Sequence, residues 1–293
     1  MPILTIRHVT TYQYRRPVAF GEHTMMLRPR DDPDQTVLES ALEISPSPSR
    51  LSWARDAFGN HVATAHFSDR AEELRFSSTI RVDHAPTDFD GAVIEADART
   101  CPFNYPPEAR TTLAPFMTPM GPHPAVDRWA EAFLDDDGTA DTRMLLVAMT
   151  WTIKRMFRHA ARHEKGIQSP AETFDLASGS CRDLAVLMIA ALRSLGFAAR
   201  FVSGYLRVAD DNDSVTGGNT HAWVQVHLPG PGWVDFDPSS GAVGNRDLVR
   251  VAVVHEPREA IPLQGTWFGA ASDHLAMDVA VKVTADAAAR AGQ

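Results

Sequence analysis

A chain of 293 residues, 44% hydrophobic and 22% charged, has the composition of a folded protein and enough length for one large domain or two ordinary ones. Its formal net charge of -9 at pH 7, with no Lys/Arg-rich run anywhere, leaves no cationic surplus for phosphates, which argues against nucleic acid and anionic membrane as partners. The longest purely apolar run, Leu184 to Leu192, is far short of the roughly 20 residues that span a bilayer, and two cysteines cannot build a disulfide framework.

The first residues, Met-Pro-Ile-Leu-Thr-Ile-Arg-His, alternate like a strand and lack the charged-then-apolar layout of a secretory signal, so a cytoplasmic address is the expectation. Up to about residue 84 the chain reads as strands (Leu4 to Val9, Leu38 to Ile44, His61 to Phe67, Leu74 to Val82) separated by turn signals such as Asp31-Asp32-Pro33-Asp34 and Asp56-Ala57-Phe58-Gly59-Asn60. Residues 1–84 are therefore expected to form an all-β unit. Residues 85–125 carry Pro86, Pro102, Pro106, Pro107, Pro115, Pro119, Pro122 and Pro124, and read as an irregular connector with a domain boundary in it.

From residue 126 the texture turns helical and defines a core expected to run to residue 293. Val126, Trp129, Ala130 and Phe133 share one face, and Asp135-Asp136-Asp137-Gly138 ends that segment. A second helix is expected from Thr142 to about Arg158, then a loop from Glu164 to Pro170 and a short piece over 171–177. Next, Ser180 stands where an N-cap belongs, and Leu184, Leu187, Met188, Ala191, Leu192 and Leu195 follow at helical spacing up to Gly196. Strands are expected over Ala199 to Leu206, Thr220 to Leu228 and Gly232 to Asp237, the last two joined by Pro229-Gly230-Pro231-Gly232 as a hairpin. Leu248 to Val254 and Met277 to Val283 read as closing strands, and the Ala-rich end from Ala285 as frayed.

Cys181 falls in the first turn of the helix that Ser180 caps. Unpaired N–H groups there place partial positive charge beside the sulfur, which stabilises a thiolate, and they can also receive the oxyanion of a tetrahedral intermediate. A buried structural cysteine is the commoner fate of such a residue, but it belongs on the apolar stripe, and Cys181 precedes that stripe. A nucleophile needs a base, and the base an orienting acceptor. His221 opens one hairpin arm and Asp237 closes the other, with index midpoint 229 in the turn, so the two are expected to be direct cross-strand neighbours on one face of the sheet. Taken singly, His221 suits a satisfied strand histidine and Asp237 a turn-capping residue before Pro238.

The runs Gly-Ser-Cys-Arg-Asp-Leu-Ala, Arg-Phe-Val-Ser-Gly-Tyr-Leu, Thr-His-Ala-Trp-Val-Gln-Val and Gly-Trp-Val-Asp-Phe-Asp-Pro-Ser together resemble the bacterial transglutaminase-like family. The N-terminal Leu-Thr-Ile-Arg-His-Val-Thr-Thr-Tyr-Gln-Tyr with Leu-Arg-Pro-Arg resembles the β-rich domain that precedes the core there. The resemblance implies an α+β fold with a papain-like core, and it assigns nucleophile to Cys181, base to His221 and orienting carboxylate to Asp237. It departs from the family at Ser239, where Pro-Thr is usual. It leaves the acceptor open, because the family contains cross-linking transferases, proteases and amidases.

The chemistry expected is acyl transfer on a peptide or protein amide, hydrolysis being preferred, with an amine-accepting transglutaminase or a non-catalytic peptide-binding scaffold as the alternatives. No cofactor and no metal are expected: nucleotide-binding and serine-esterase motifs are absent, and Ile167 stands where a second zinc-binding His would follow His163-Glu164. The acidic run Asp210-Asp211-Asn212-Asp213 reads as a solvated loop. Gln168 and Trp151 are candidates for a second oxyanion donor by side-chain chemistry, Asp183 and Cys101 read as structural, and Trp223 and Trp233 as packing of the hairpin, with a site-lining role open for Trp223. Nothing in the sequence reads the oligomeric state.

Overall fold

A computed structural model describes residues 3–160, 162, 166–208 and 217–285. The all-β unit contains β1 (Ile3–Met25), β2 (Gln35–Ser45), β3 (Arg50–Arg55), β4 (His61–His66) and β5 (Arg70–His84), ordered β2-β5-β1-β4-β3 and antiparallel throughout. Residues 3–13 of β1 pair with β5 and residues 23–25 with β4, and the register breaks between Gln13 and Val18, where Pro17 withholds a donor from the ladder. β3 escapes the pattern analysis because five of its six residues are exposed, so it carries no apolar alternation.

The segment read as an irregular connector contains β6 (Thr100–Cys101) and a helix, α1 (Pro107–Met117). The proline count hides this helix. Pro107 is suited to the first turn, and Pro115 is carried in the interior because Leu113 and Phe116 pack on Ala198 and Trp233. The α+β core follows: α2 (Pro124–Glu131), β7 (Ala140–Asp141), α3 (Thr142–Met156), β8 (Arg158–His159), α4 (Pro170–Leu176), β9 (Ser178–Gly179) and α5 (Cys181–Ser194). Strands β10 (Ala199–Val208), β11 (Gly217–Leu228), β12 (Gly232–Asp237), β13 (Ala242–Val243) and β14 (Leu248–Val254) form an antiparallel sheet ordered β13-β12-β11-β10-β14. From Asp183 to Arg193 every residue of α5 is buried, because the sheet covers one side and the other helices the rest.

The expected closing strands part company. β14 stays in the core sheet, whereas β15 (Leu263–Phe268) and β16 (His274–Ala285) both pair with β1, so this stretch of the expected 126–293 core completes the N-terminal sheet. A strand's pattern specifies which face is buried; it does not specify which sheet supplies the neighbour.

The two sheets interlock at β14, an edge strand of the core. Two side-chain amides of the N-terminal unit replace a missing neighbour: Gln35 accepts from the Arg250 N–H (3.0 Å) and donates to its carbonyl (2.8 Å), and Asn60 does the same for Val253 (3.0 and 2.9 Å). The Arg250 guanidinium is buried and meets Asp235 at 2.9 Å, Asp32 at 3.3 Å and Asp34. No helix among the described residues is long and apolar enough to cross a membrane.

Removing one member of such a cluster strands buried charge. Arg250→Ala is expected to destabilise the protein by about 3–5 kcal/mol, read as a lower urea midpoint.

Candidate active site

The thiol is placed by its helix cap. Ser180 has extended backbone and accepts from the Asp183 N–H, while the Asp183 carboxylate reaches back to the Ser180 N–H (2.8 Å) and Oγ–H (2.7 Å), a reciprocal capping box. The same carboxylate, fully buried, accepts from Arg162 through both oxygens at 3.0 Å and from the Gln168 backbone N–H at 2.8 Å. Gly179 has to lack a side chain, since a Cβ would fall 2.7 Å from that of Asp183. Cys181 is thereby held as the first residue of α5, ahead of the first intrahelical bond, Leu184 N–H to the Ser180 carbonyl.

His221 and Asp237 come together, but not in the expected register. The observed pairs, Val224 with Phe236 through Leu228 with Gly232, put the midpoint at Gly230, because the hairpin turns through three residues with Gly230 at φ 99°. Continued outward, that register sets Ser239 opposite His221 and makes Asp237 its diagonal neighbour on the same face. Both contacts form: His221 Nε2–H donates to Asp237 Oδ2 at 2.8 Å, and Ser239 Oγ lies 3.3 Å from the same nitrogen. Asp237 is fully buried and also accepts from Ser239 Oγ–H (2.8 Å), Ser240 Oγ–H (2.6 Å) and the Ser239 N–H (2.9 Å). With Nε2 occupied, Nδ1 is the His221 nitrogen left for the sulfur.

Burial by itself would push the Cys181 thiol up; hydrogen bonds from His159 and His221, the charge on His221 and the Ala222 N–H outweigh it and hold the thiol down at about 6. For His221 burial opposes the charged form, and the hydrogen bonds and charges of Asp237 and Cys181 reverse this, lifting it to about 10. Burial likewise works against the Asp237 carboxylate, and His221, Ser240 and Ser239 bring it to about 2. All three shifts favour the charged forms: thiolate, imidazolium and carboxylate. His159 was not among the residues singled out from sequence. It sits in a two-residue strand that pairs in parallel with β9, opposite Gly179, and a piece that short has no periodicity to read.

Trp151 is 51% exposed on α3 with its ring against Gly241, and Gln168 directs its side-chain oxygen to Thr173 while its backbone serves Asp183. Trp223 is fully buried, donates to Asp235 at 2.6 Å and stacks near His221 with ring centroids 6.2 Å apart. Trp233 packs on Phe116 and under Arg200. Arg182 turns away to the Pro257 and Ala260 carbonyls. Cys101 is buried and free, its thiol pushed up to about 11 by burial. Among the described residues no three His, Cys, Asp or Glu side chains gather in a way that could hold a metal. His163-Glu164, the 210–213 acidic run, most of the Ala-rich end and part of the loop before α4 lie outside the described residues.

Residues 4–83 match the N-terminal region of bacterial transglutaminase-like proteins, and residues 127–238 match the transglutaminase-like superfamily. The chain belongs to this family. An uncharacterised Mycobacterium tuberculosis protein is 27% identical over 290 residues, covering 95% of this chain and 91% of its own. A protein-glutamine gamma-glutamyltransferase of Pseudomonas aeruginosa is 39% identical over 70 residues, covering 22% of this chain and 10% of that protein. Among solved structures, a candidate cysteine protease from Cytophaga hutchinsonii shares the transglutaminase-like fold with a TM-score of 0.72 at 20% identity, over 96% of this chain and 90% of that one.

The lowered thiol makes thiolate the dominant form above about pH 6, and the raised imidazole keeps its proton up to about pH 10. Iodoacetamide labelling of Cys181 should therefore rise through about pH 6 and stay level across neutrality, with Cys101 unlabelled under the same conditions. Peptide mapping across pH reads this directly, and equal labelling of the two cysteines at pH 6 is the contrary result.

Proposed function

We propose that this protein catalyses cysteine-dependent acyl transfer on a peptide or protein amide, with Cys181 as nucleophile, His221 as acid and base, and Asp237 as the orienting carboxylate. The observation that carries the reading is the 2.8 Å hydrogen bond that ties His221 to the buried Asp237 carboxylate, together with a Cys181 thiol held down by His221 at the start of α5. A scaffold that only bound peptides would have no use for an imidazole charged between a thiolate and a buried carboxylate.

In the first half-reaction the sulfur attacks the amide carbonyl carbon, and the developing oxyanion faces the free N–H groups at the start of α5. The His221 imidazolium gives its proton to the amide nitrogen, the C–N bond breaks, and the amine leaves behind a thioester. His221, now neutral and held by Asp237, takes a proton from the acceptor as it attacks the thioester carbonyl; the C–S bond breaks and the thiolate returns. Water as acceptor gives a peptidase or amidase, which is the preferred reading because Cys181 is only half-buried and no side chain of the site is committed to an amine. An amine acceptor is the alternative, and the gamma-glutamyltransferase relative keeps it in view. Both cysteines being free suits a cytoplasmic location, which belongs to the same reading.

Incubation with a peptide library, with and without a labelled primary amine, tests the reaction class against Cys181→Ala as control. Cleavage that depends on Cys181 supports hydrolysis, and amine incorporation at glutamine replaces it with transamidation. Once a substrate is in hand, Asp237→Asn should lower kcat by about 10²–10⁴-fold with a smaller change in KM, because the imidazole loses its charge partner and its fixed tautomer.

A further inference from the structure

Between the N-terminal sheet and the hairpin lies a cavity of about 840 Å³ that none of Cys181, His221 and Asp237 lines. Small-molecule sites of roughly 300–1,000 Å³ occur preferentially at such interfaces. One wall is the core sheet near the hairpin turn, where Arg200 of β10, Gln225 of β11 and Trp233 of β12 neighbour one another. The rest comes from the segment after β5, residues 87–93, and from Asp32 to Asp34 ahead of β2. Both stretches are fixed in place. Thr87 N–H donates to Asn245 Oδ1 at 2.7 Å, the Arg143 guanidinium donates to the Phe89 and Ala92 carbonyls, and Arg250 holds Asp32 and Asp34. The cavity is therefore formed before a ligand arrives, which lowers the ordering cost of binding.

Two guanidinium groups line this space and they are placed differently. Arg250 is engaged by three carboxylates, whereas Arg200, half-buried, has none. Its Nε–H donates to Gln225 Oε1 at 2.9 Å, and its plane lies over the Trp233 ring, 4.0 Å from the centroid. Trp233 is itself held by the rings of Phe116 and His227 packed near-perpendicular to it. Among the described residues the two terminal nitrogens of Arg200 have no hydrogen-bond partner and no ion pair. Burial works against its charge, and the acids near enough to favour it, Asp235 and Asp32, are both bound to Arg250. We propose that this cavity binds a small monocarboxylate with an apolar body, the carboxylate taken by the terminal nitrogens of Arg200 and the body lying against Val93, Pro231 and Val234. A guanidinium whose Nε is already occupied still offers the parallel N–H pair that matches the two oxygens of a carboxylate. Asp32, Asp34 and Asp88 also line the cavity, so a phosphate dianion would meet more repulsion than one guanidinium offsets, while a single carboxylate supplies the ion pair that Arg200 lacks. The site stands apart from the chemistry at Cys181 and does not depend on it.

Isothermal titration calorimetry on the full chain is the test, with benzoate, phenylacetate, N-acetyl-L-leucine and N-acetyl-L-phenylalanine as probes, each beside its uncharged amide, and with acetate and inorganic phosphate. At least one of the four acids is expected to bind saturably, its amide about tenfold or more weakly, and acetate and phosphate more weakly still. Arg200→Gln should weaken the bound acid by about tenfold or more and leave its amide unaffected. Should Arg200→Gln fail to fold, the pair Val93→Asp and Val93→Asn decides, because Val93 is 73% exposed at the rim. The aspartate adds a repelling charge and should weaken the acid by about fivefold, and the asparagine, of the same shape, should not. Iodoacetamide treatment of Cys181 beforehand should leave the titration unchanged. No saturable binding by any of the four acids, equal affinity for acid and amide, phosphate bound more tightly than every acid, or a folded Arg200→Gln within about twofold of wild type would each overturn the site. Binding abolished by alkylation would move the ligand to the cleft at Cys181 and overturn it as well.

Discussion

The arrangement around the thiol depends on one buried carboxylate. Asp183 sits in the first turn of α5 with no solvent contact, where an ion is tolerated only if its lone pairs are taken up. Arg162, the Gln168 N–H and the Ser180 N–H and Oγ–H do so, and each bond fixes a different piece of chain. Ser180 is locked as the cap, the stretch before α4 is drawn over the helix end, and Gly179 is pressed against the Asp183 Cβ. Charge-assisted bonds contribute roughly 1.5–3 kcal/mol each, so this knot outweighs the conformational freedom it removes from the few residues involved. Cys181 inherits its position from it, one residue past the cap.

Behind the hairpin a second set of polar groups ties the core strands to the N-terminal sheet. Asp235 and Asp237 are two apart on β12 and project to one side, so two carboxylates share a face and each needs its own cation. Asp237 takes His221; Asp235 takes Trp223 Nε1–H and the Arg250 guanidinium, which continues to Asp34 of the other unit. The division of partners keeps either carboxylate from competing for the imidazole. It also gives the N-terminal unit a mechanical part in the site, because the strand that carries Asp237 is braced from behind by residues before β2 and at its start.

How far the site could be read from sequence followed how local each determinant was. The Ser-x-x-Asp cap and the apolar stripe after it are local, so Cys181 was legible at its place in the helix. The shared face of His221 and Asp237 was legible because strand period is fixed, but the register depended on a three-residue turn and slid by two residues, which brought Ser239 opposite the imidazole. α1 was hidden because proline statistics describe isolated chain, whereas Leu113 and Phe116 gain their stability from partners remote in sequence. His159 was not legible at all: it is set opposite Gly179, two residues before the thiol, by a parallel pairing of two-residue strands that the tertiary fold alone creates.

The placement of β16 has a consequence for how the chain is made. β1 is central in its sheet, with β5 and β4 along one side and β16 and β15 along the other, and those last two follow every strand of the core sheet in the chain. While the ribosome is still translating the α+β core, the nascent N-terminal unit presents a long open edge of β1 with its N–H and C=O groups unpaired, and the sheet is finished only after the core strands have emerged. Completion of this sheet thus waits until the core strands have been made, and a chain stopped after β14 would carry the whole Cys181, His221 and Asp237 set on a molecule in which β1 is free to recruit a foreign strand.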